Sequence, residues 1–239
     1  MSSCPESKAR SLRSPARAAA SARRRRCSSP GAAARWCSAR AERIAKAGGA
    51  AAYVYTGVRR RDDLLGLVAA ACERFGQLDV LVSNAGVGPI SLLDDLRVED
   101  REEMIDVNLK GVLYGIAAAL PVFRKQGFGH FVNVISTAGL KVVPMQSVYA
   151  GTKNAVRTIS EGLRQEAGAN LRVTTVSPGF VHTDFAESMT NPDVKAEIVA
   201  TRDKMAIPPD AIARAIAFAI EQPPDVDIGE IVIRPTAQG

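Results

Sequence analysis

The stretch that decides the fold is DVLVSNAG, residues 79–86 of this 239-residue chain. Its middle, Val80–Val82, is apolar without interruption, which is typical of a parallel strand covered on both faces. Asn84-Ala85-Gly86 follow at once, and small or polar residues of this kind form a turn where a strand ends. Because parallel strands need a crossover between them, usually a helix, this stretch predicts a layered α/β fold.

Helical and strand patterns alternate along the chain on both sides of this stretch. Apolar residues recur at helical spacing or in short runs, and turn residues separate the segments. The predicted strands are 51–55, 79–83, 130–136, 171–177 and 230–234, and the predicted helices are 41–46, 62–75, 99–125, 147–167 and 209–221. Since such crossovers are right-handed, we expect one Rossmann-like domain over residues 41–239, with a doubly wound, mostly parallel sheet.

Three successive predicted strands end in small or polar residues. The first ends in Asn84–Gly86, the next in Ser136 and the third in Pro178–Gly179. Ligands bind beyond the carboxyl ends of the strands in sheets of this type. We therefore expect these residues to line one binding rim.

Tyr149 and Lys153 are four residues apart near the start of the predicted helix 147–167. Residues at this spacing share a helix face, and an ammonium near a phenol lowers the pKa of the phenol. Such a tyrosine can give its proton to a carbonyl oxygen or remove it in the reverse direction, while the hydroxyl of Ser136 can hold the same oxygen. A solvated Tyr–Lys pair and a turn-forming serine would give the same local pattern, so the wider context has to decide.

The order of these motifs resembles the short-chain dehydrogenase/reductase family over about residues 41–239. Asn-Ala-Gly follows a strand, Asn108 lies on the next helix, Ser136 ends the next strand, Tyr-x-x-x-Lys comes thirteen residues later, and Pro-Gly follows the next strand. The resemblance implies an NAD(P)-dependent oxidoreductase that interconverts an alcohol and a carbonyl on a small molecule by hydride transfer.

The resemblance also implies a role for each matched residue. Tyr149 would be the acid and base, and Lys153 would lower its pKa and bind the nicotinamide ribose. Ser136 would orient the substrate, and Asn108 would support a proton relay through water and Lys153. The residues implied at the cofactor are Asn84, Ala85 and Gly86 on the adenosine side, with Pro178, Gly179 and Thr183 near the nicotinamide.

Charge is distributed unevenly along the chain. Residues 1–40, here called the head, hold nine Arg and one Lys against Glu6 alone, whereas the remaining 199 residues carry 21 basic and 24 acidic side chains. A nucleic-acid surface needs basic residues on the folded body, so a nucleic-acid binder is disfavoured. No Cys/His cluster has metal spacing, and without a secretory context the four cysteines do not indicate a disulfide framework.

The head departs from the family pattern. The family opens with a strand and the turn Thr-Gly-x-x-x-Gly-x-Gly, whose amides and following helix cradle the cofactor pyrophosphate. Here residues 14–26 read SPARAAASARRRR, which predicts neither a strand nor a glycine turn, so the first βαβ segment is expected to be disrupted and the head poorly ordered. This loss would leave an unpaired edge on residues 79–83. In addition, Gly57 stands where the family commonly has an Asp near the adenine.

Two explanations of the head remain open. An Arg- and Ser-rich, acid-poor head is typical of a transit peptide, although a transit peptide precedes a complete domain. Alternatively, a one-base shift with permitted codon choices turns residues 8–14 into EGKVAAI, residues 15–25 into TGASSGIGEAT and residues 36–39 into VVLG. These strings restore the missing strand, glycine turn and second strand, so we favour a head translated out of frame.

The sequence thus predicts an NAD(P)-dependent oxidoreductase, and the alternative is a catalytically impaired remnant of the fold that binds cofactor weakly. The charge of Arg40 favours NADP over NAD. His182 either faces the substrate or lies on a surface loop, and residues 180–205 are expected to form a mobile flap. Residues 111–123 are too short and interrupted to span a bilayer, and no early segment has the apolar run that a secretory signal needs. We therefore expect a cytoplasmic homo-oligomer with a small-molecule substrate and no membrane partner.

Overall fold

The structure is a computed structural model that describes Ala19–Ala22, Ile44, Lys46 and residues 48–239. Within these residues, five parallel strands form one sheet in the order β1-β2-β3-β4-β5. They are β1 (Ala19–Ala22), β2 (Val80–Ser83), β3 (Gly129–Val134), β4 (Leu171–Pro178) and β5 (Glu230–Ile233). This arrangement confirms the α/β fold with a parallel sheet, in a single Rossmann-like domain.

Helices join the strands. They are α1 (Arg61–Phe75), α2 (Val98–Met104), α3 (Gly111–Gln126), α4 (Ser147–Ala167), α5 (Pro192–Met205) and α6 (Pro209–Glu221). A π-helical turn, Ile105–Lys110, connects α2 to α3 without a break. Short 3-10 turns occur at Leu93–Asp95, Thr137–Gly139 and Asp184–Ser188.

The sheet is covered on both faces, as alternation along the strands requires. Leu81 on β2 and Phe131 on β3 are in register and belong to the larger buried cluster, together with residues of α1, α3 and α4. Val80 and Val132 belong to a second cluster that includes Ile212 of α6. The two clusters hold the strands between helices, which fixes the rim where β2, β3 and β4 end.

The prediction of a strand over residues 51–55 is wrong. This segment has no regular secondary structure, and Tyr53 and Tyr55 are exposed. A strand needs a neighbour to satisfy its backbone hydrogen bonds, and no described strand lies beside it. The prediction missed α5, which begins where the side chain of Asn191 accepts hydrogen bonds from Asp193 N and Val194 N. The N-terminal helix predicted over 41–46 is described only at Ile44 and Lys46, which are helical.

The expectation that residues 14–26 hold no strand is also wrong, because β1 lies within them. It pairs in parallel with all four residues of Val80–Ser83, so the unpaired edge expected there does not exist. Small residues allow this pairing, since a parallel ladder depends on backbone hydrogen bonds rather than on particular side chains. The rest of the head, including residues 10–16, lies outside the described residues.

The helical run Val98–Gln126 continues through Gly115 and Pro121 without interruption. In the part of the chain that the structure describes, it is the one run long and apolar enough to cross a membrane by length and composition. Its α3 part packs against α1 and the sheet, and Ala119 and Phe123 are fully buried. A core helix of an α/β domain passes the same test, so the run carries no membrane assignment.

Candidate active site

The carboxyl ends of β2, β3 and β4 meet at one rim, as the sequence predicted. The register pairs Ser83 with Asn133 and Val134 with Val176, so the three strands end side by side. Asn84–Gly86, Ser136 and Pro178–Gly179 therefore emerge from adjacent strands.

Tyr149 and Lys153 lie on the first turns of α4, and both are buried, with 9% and 5% of their surface exposed. The Lys153 ammonium lies 5.8 Å from the centre of the Tyr149 ring. It donates a hydrogen bond of 3.2 Å to the carbonyl oxygen of Val134, at the end of β3. This pair is therefore an internal feature of the fold, and the solvated pair considered above is excluded.

Burial raises the pKa of Tyr149 to about 12, while the neighbouring Ser136 hydroxyl has a smaller, lowering effect on that pKa. The expectation that Lys153 lowers the pKa of Tyr149 is therefore wrong for the net effect. Burial disfavours the charged phenolate more strongly than the neighbouring groups stabilise it. Burial also lowers the pKa of Lys153, to about 8.

Ser136 begins the 3-10 turn that follows β3. Its hydroxyl accepts a hydrogen bond of 3.1 Å from Ala138 N. The turn packs tightly on α4, because a Cβ added at Gly139 would lie 3.1 Å from the backbone carbon of Lys153. The amide of Asn154 ties the same turn to α4 through a 3.0 Å bond to the Gly139 carbonyl. Ser136 is thereby held against Tyr149.

Asn108 lies within the π-helical turn and is 1% exposed. Its side chain accepts a 2.9 Å hydrogen bond from Val87 N and donates one of 2.9 Å to Val87 O. Its amide nitrogen also donates to the Thr152 hydroxyl on α4, at 3.3 Å. π-helical turns are often found at functional sites, and this one directs Asn108 to the segment that follows the Asn-Ala-Gly turn.

Gly86 brings Asn108 and Lys153 together. A Cβ added there would lie 3.3 Å from Lys153 Nζ and 3.4 Å from Asn108 Oδ1, so both side chains pack against this one position. The sequence had associated Asn84–Gly86 with the adenosine side alone. In the structure Gly86 also contacts the Tyr149–Lys153 side of the site, and Asn84 is exposed.

An apolar cavity opens next to this turn, between β2 and the helices that cover it. Residues that line it include Val58, Leu81, Ala85, Val107 and Gly115. Its free volume is about 20 Å³, room for about one water molecule, so an adenine ring would enter only if these apolar walls moved apart. At the nearby Gly57, the amide donates a 2.8 Å hydrogen bond to the Asp63 carboxylate, which brings an acidic group to the place where the family's Asp is missing.

Pro178, Gly179 and Thr183 follow β4. Gly179 N donates a 2.7 Å hydrogen bond to Ile233 O on the neighbouring strand. The Thr183 hydroxyl caps the Asp184–Ser188 turn by accepting from Phe185 N at 3.4 Å. These contacts order the turn after β4, while cofactor binding by the three residues stays a prediction.

The segment expected to be a mobile flap packs onto the site. The Phe185 ring lies 5.5 Å from the Tyr149 ring, and it fills the space that a side chain at Gly88 would need. The Ser188 hydroxyl accepts a 2.9 Å hydrogen bond from Gly88 N. Sequence analysis placed Phe185 only within the expected flap of residues 180–205, because its contact with Tyr149 depends on a long loop that no local pattern predicts.

Two residues considered above do not join this cluster. The His182 side chain is 60% exposed and lies 3.7 Å from the Asp203 carboxylate, as the surface-loop interpretation predicted. Arg40 lies outside the described residues. Sequence analysis did not predict the hydrogen bonds of Lys153 with Val134 or of Asn108 with Thr152 and Val87. Their partners are backbone groups or a threonine that belongs to no recognisable motif.

The lowered pKa of the buried Lys153 leads to a prediction about stability that can be tested without measuring turnover. Folding holds the pKa of Lys153 near 8, while the unfolded chain has the ordinary value of 10.5, so the unfolded state binds more protons between these values. The free energy of unfolding should therefore rise as the pH increases from about 8 to about 10, by at most about 3 kcal/mol. Urea denaturation at several pH values measures this rise.

Lys153→Met should remove the rise, whereas the same change at the exposed Lys125 should keep it. Above pH 10 the raised pKa of Tyr149 acts in the opposite direction, because the unfolded tyrosine loses its proton first. An unchanged slope in Lys153→Met would contradict the assignment.

Comparison with known proteins gives three findings. The sequence model of the short chain dehydrogenase family matches residues 26–193. An uncharacterized oxidoreductase of Staphylococcus saprophyticus is 47% identical over 186 residues, which cover 77% of this chain and 75% of the relative. Two solved structures are each 28% identical, with a TM-score of 0.76, and cover 92% of this chain and 86% of their own. One is an alcohol dehydrogenase of the archaeon Thermococcus sibiricus complexed with 5-hydroxy-NADP, and the other is the closed form of a serine dehydrogenase complexed with NADP+.

Proposed function

This chain belongs to the short chain dehydrogenase family and is an NAD(P)-dependent oxidoreductase, and we propose that it interconverts an alcohol and a carbonyl on a small molecule with Tyr149 as acid and base. One observation carries the proposal. Tyr149 is buried beside Ser136, whose hydroxyl lowers the pKa of the phenol, and Lys153 lies one helical turn further along α4.

The proton step follows from the pKa values. With a pKa of about 12, the Tyr149 phenol is protonated at neutral pH, so it is ready to act as an acid. When a substrate carbonyl lies against Tyr149 Oη and Ser136 Oγ, the phenol proton passes to the carbonyl oxygen as a hydride arrives at the carbonyl carbon. In the direction of alcohol oxidation the same oxygen takes the proton back.

Lys153 supports the charge that this step creates. Its pKa of about 8 keeps most of its ammonium protonated at pH 7, so a positive charge lies near the phenolate left after proton transfer. A hydrogen bond to Val134 O holds the Lys153 ammonium in place. Hydrogen bonds with the backbone of Val87 hold the neighbouring Asn108 side chain. Ser136 stabilises the same oxygen and fixes the substrate.

The nicotinamide cofactor, when bound, supplies the hydride for reduction or accepts it in oxidation. The adenine would lie beside Val58, Ala85 and Val107, next to Gly86, where the small apolar cavity would have to widen to admit it. Lys153 would bind the nicotinamide ribose, and Pro178, Gly179 and Thr183 would hold the nicotinamide end. The predicted site of the pyrophosphate falls in the head, outside the described residues except for Ala19–Ala22.

NADP is the favoured form of the cofactor. Both solved structures cited above contain NADP+ or a derivative of NADP, and the guanidinium of Arg40 would attract the ribose 2′-phosphate. We also propose a small-molecule substrate, a homo-oligomeric state and a cytoplasmic location.

Carbonyl reduction tests the proposal. Purified chain should oxidise NADPH, followed at its absorbance band, when small aldehydes and ketones are added one by one. It should use NADPH in preference to NADH. If a fluorescence titration shows NADPH binding but no carbonyl or alcohol in a broad panel is turned over in either direction, the inactive remnant is the correct interpretation.

A further inference from the structure

The segment after β5 turns back over the candidate active site. A turn at residues 235–238 is closed by a 3.0 Å hydrogen bond from Gln238 N to Pro235 O. Pro235 is buried, so this turn is anchored in the protein, and it directs the half-buried Gln238 side chain to the rim where β3 and β4 end.

Gln238 connects two loops of the site through its amide group. Its Oε1 accepts a 3.0 Å hydrogen bond from Phe180 N, in the turn after β4. Its Nε2 donates to the hydroxyl of Thr137, the residue that follows Ser136, at 3.4 Å. A glutamine can do both because its planar amide has an acceptor and donors at one end.

The adjacent Gly179 makes room for this contact. A Cβ added at Gly179 would overlap with Gln238 Oε1 and would lie 2.8 Å from Arg234 Cβ. The backbone N–H of Gly179 donates to Ile233 O, and that of Phe180 donates to Gln238 Oε1. Residues 233–238 therefore hold both N–H groups of the turn after β4.

We propose that Gln238 is a positioning residue, which holds the Ser136–Thr137 turn and the Gly179–Phe180 turn at a fixed separation across the place of hydride transfer. This inference rests on the proposed function, because it assigns these two turns to substrate and nicotinamide. Loss of the bridge should leave the adenine side unchanged, since the hydrogen bonds of Gln238 go to Phe180, Thr137 and Pro235 and not to Val58, Ala85 or Val107. Hydride transfer should suffer, because small displacements of reacting groups cost rate.

Gln238→Leu tests this role with a side chain of similar size and no hydrogen-bonding atoms. We expect kcat for carbonyl reduction to fall about tenfold, with the Kd for NADPH within about twofold of the original. The melting temperature should change by no more than about 2 °C. Gly179→Ala should lower kcat in the same way, because its methyl group displaces the Gln238 amide.

Gln222→Leu is the matched control. Gln222 follows α6, and its amide donates a 2.7 Å hydrogen bond to Phe218 O, away from the rim. The control should keep the original kcat, Kd and melting temperature.

Hydrogen exchange gives a readout that does not depend on activity. The Phe180 amide should exchange faster in Gln238→Leu than in the original chain, while the β3 amides and the Gln222→Leu control stay unchanged. If the original chain reduces no carbonyl but this exchange result is obtained, the proposed function fails and the bridge stands. If kcat is unchanged in Gln238→Leu, or if it falls only in proportion to a loss of folded protein, the positioning role is overturned. Unchanged exchange at Phe180 would overturn the bridge itself.

Discussion

Replacement of Tyr149 by phenylalanine should lower kcat for carbonyl reduction by at least about a thousandfold. The change removes one oxygen atom and with it the transferable proton, while the ring that packs 5.5 Å from Phe185 stays in place. The Ser136 hydroxyl beside the phenol accepts a hydrogen bond from Ala138 N, so this neighbour keeps a partner after the change. Stopped-flow or steady-state oxidation of NADPH measures the effect.

The control for this prediction is cofactor binding. Because the adenine cavity and Lys153 are untouched, the Kd for NADPH should stay within about threefold of the original. Tyr114→Phe on α3 is a matched change at a tyrosine outside the site and should leave turnover as it is. Retention of most of the turnover by Tyr149→Phe would show that another group supplies the proton.

A chain whose head carries the one-base-shifted reading should bind NADPH at least about a hundredfold more tightly than the present chain. Residues 14–26 of the present chain contain no glycine, whereas the shifted reading places TGASSGIG over residues 15–22. Backbone amides of such a turn and the N-terminus of the following helix bind a pyrophosphate. Side by side titration of the two chains with NADPH measures the difference.

Thermal melting of the same two chains without cofactor gives the control. The Ala19–Ala22 strand already pairs with Val80–Ser83, so the sheet edge is not the source of the expected difference. Equal affinity for NADPH in the two chains would show that the head, as written, binds the pyrophosphate, and would reject the frameshift hypothesis. A gain in affinity without a large gain in melting temperature would assign the effect to the glycine turn.

Most of the fold was predictable from local patterns. The helices at 62–75, 147–167 and 209–221 and the strand at 171–177 appear within one residue of the predicted bounds. These segments have strong periodicity or an uninterrupted apolar run, so the chain itself determines them. The segment 51–55 has the same apolar character and forms no strand, because strands depend on a neighbour that local patterns do not contain.

The identity of the candidate site was predictable for a different reason. Asn108, Ser136, Tyr149 and Lys153 carry chemistry that their order along the chain makes recognisable, and the structure brings all four to one end of the sheet. Phe185 and Gln238 have no such signal. They lie 36 and 89 residues after Tyr149, and their contacts exist because a loop and a terminal turn fold back over the rim.

From Arg61 onward, the sequence by itself determined the order of the strands and of the long helices except α5, and the kinds of side chain at the strand ends, because periodicity and turn chemistry act over a few residues. Tertiary structure decided the protonation of the site. Local spacing predicted a lowered pKa for Tyr149, whereas the fold surrounds Tyr149 and Lys153 with protein and shifts both away from their charged forms. Burial is a property of the whole packed molecule, so no spacing along the chain contains it.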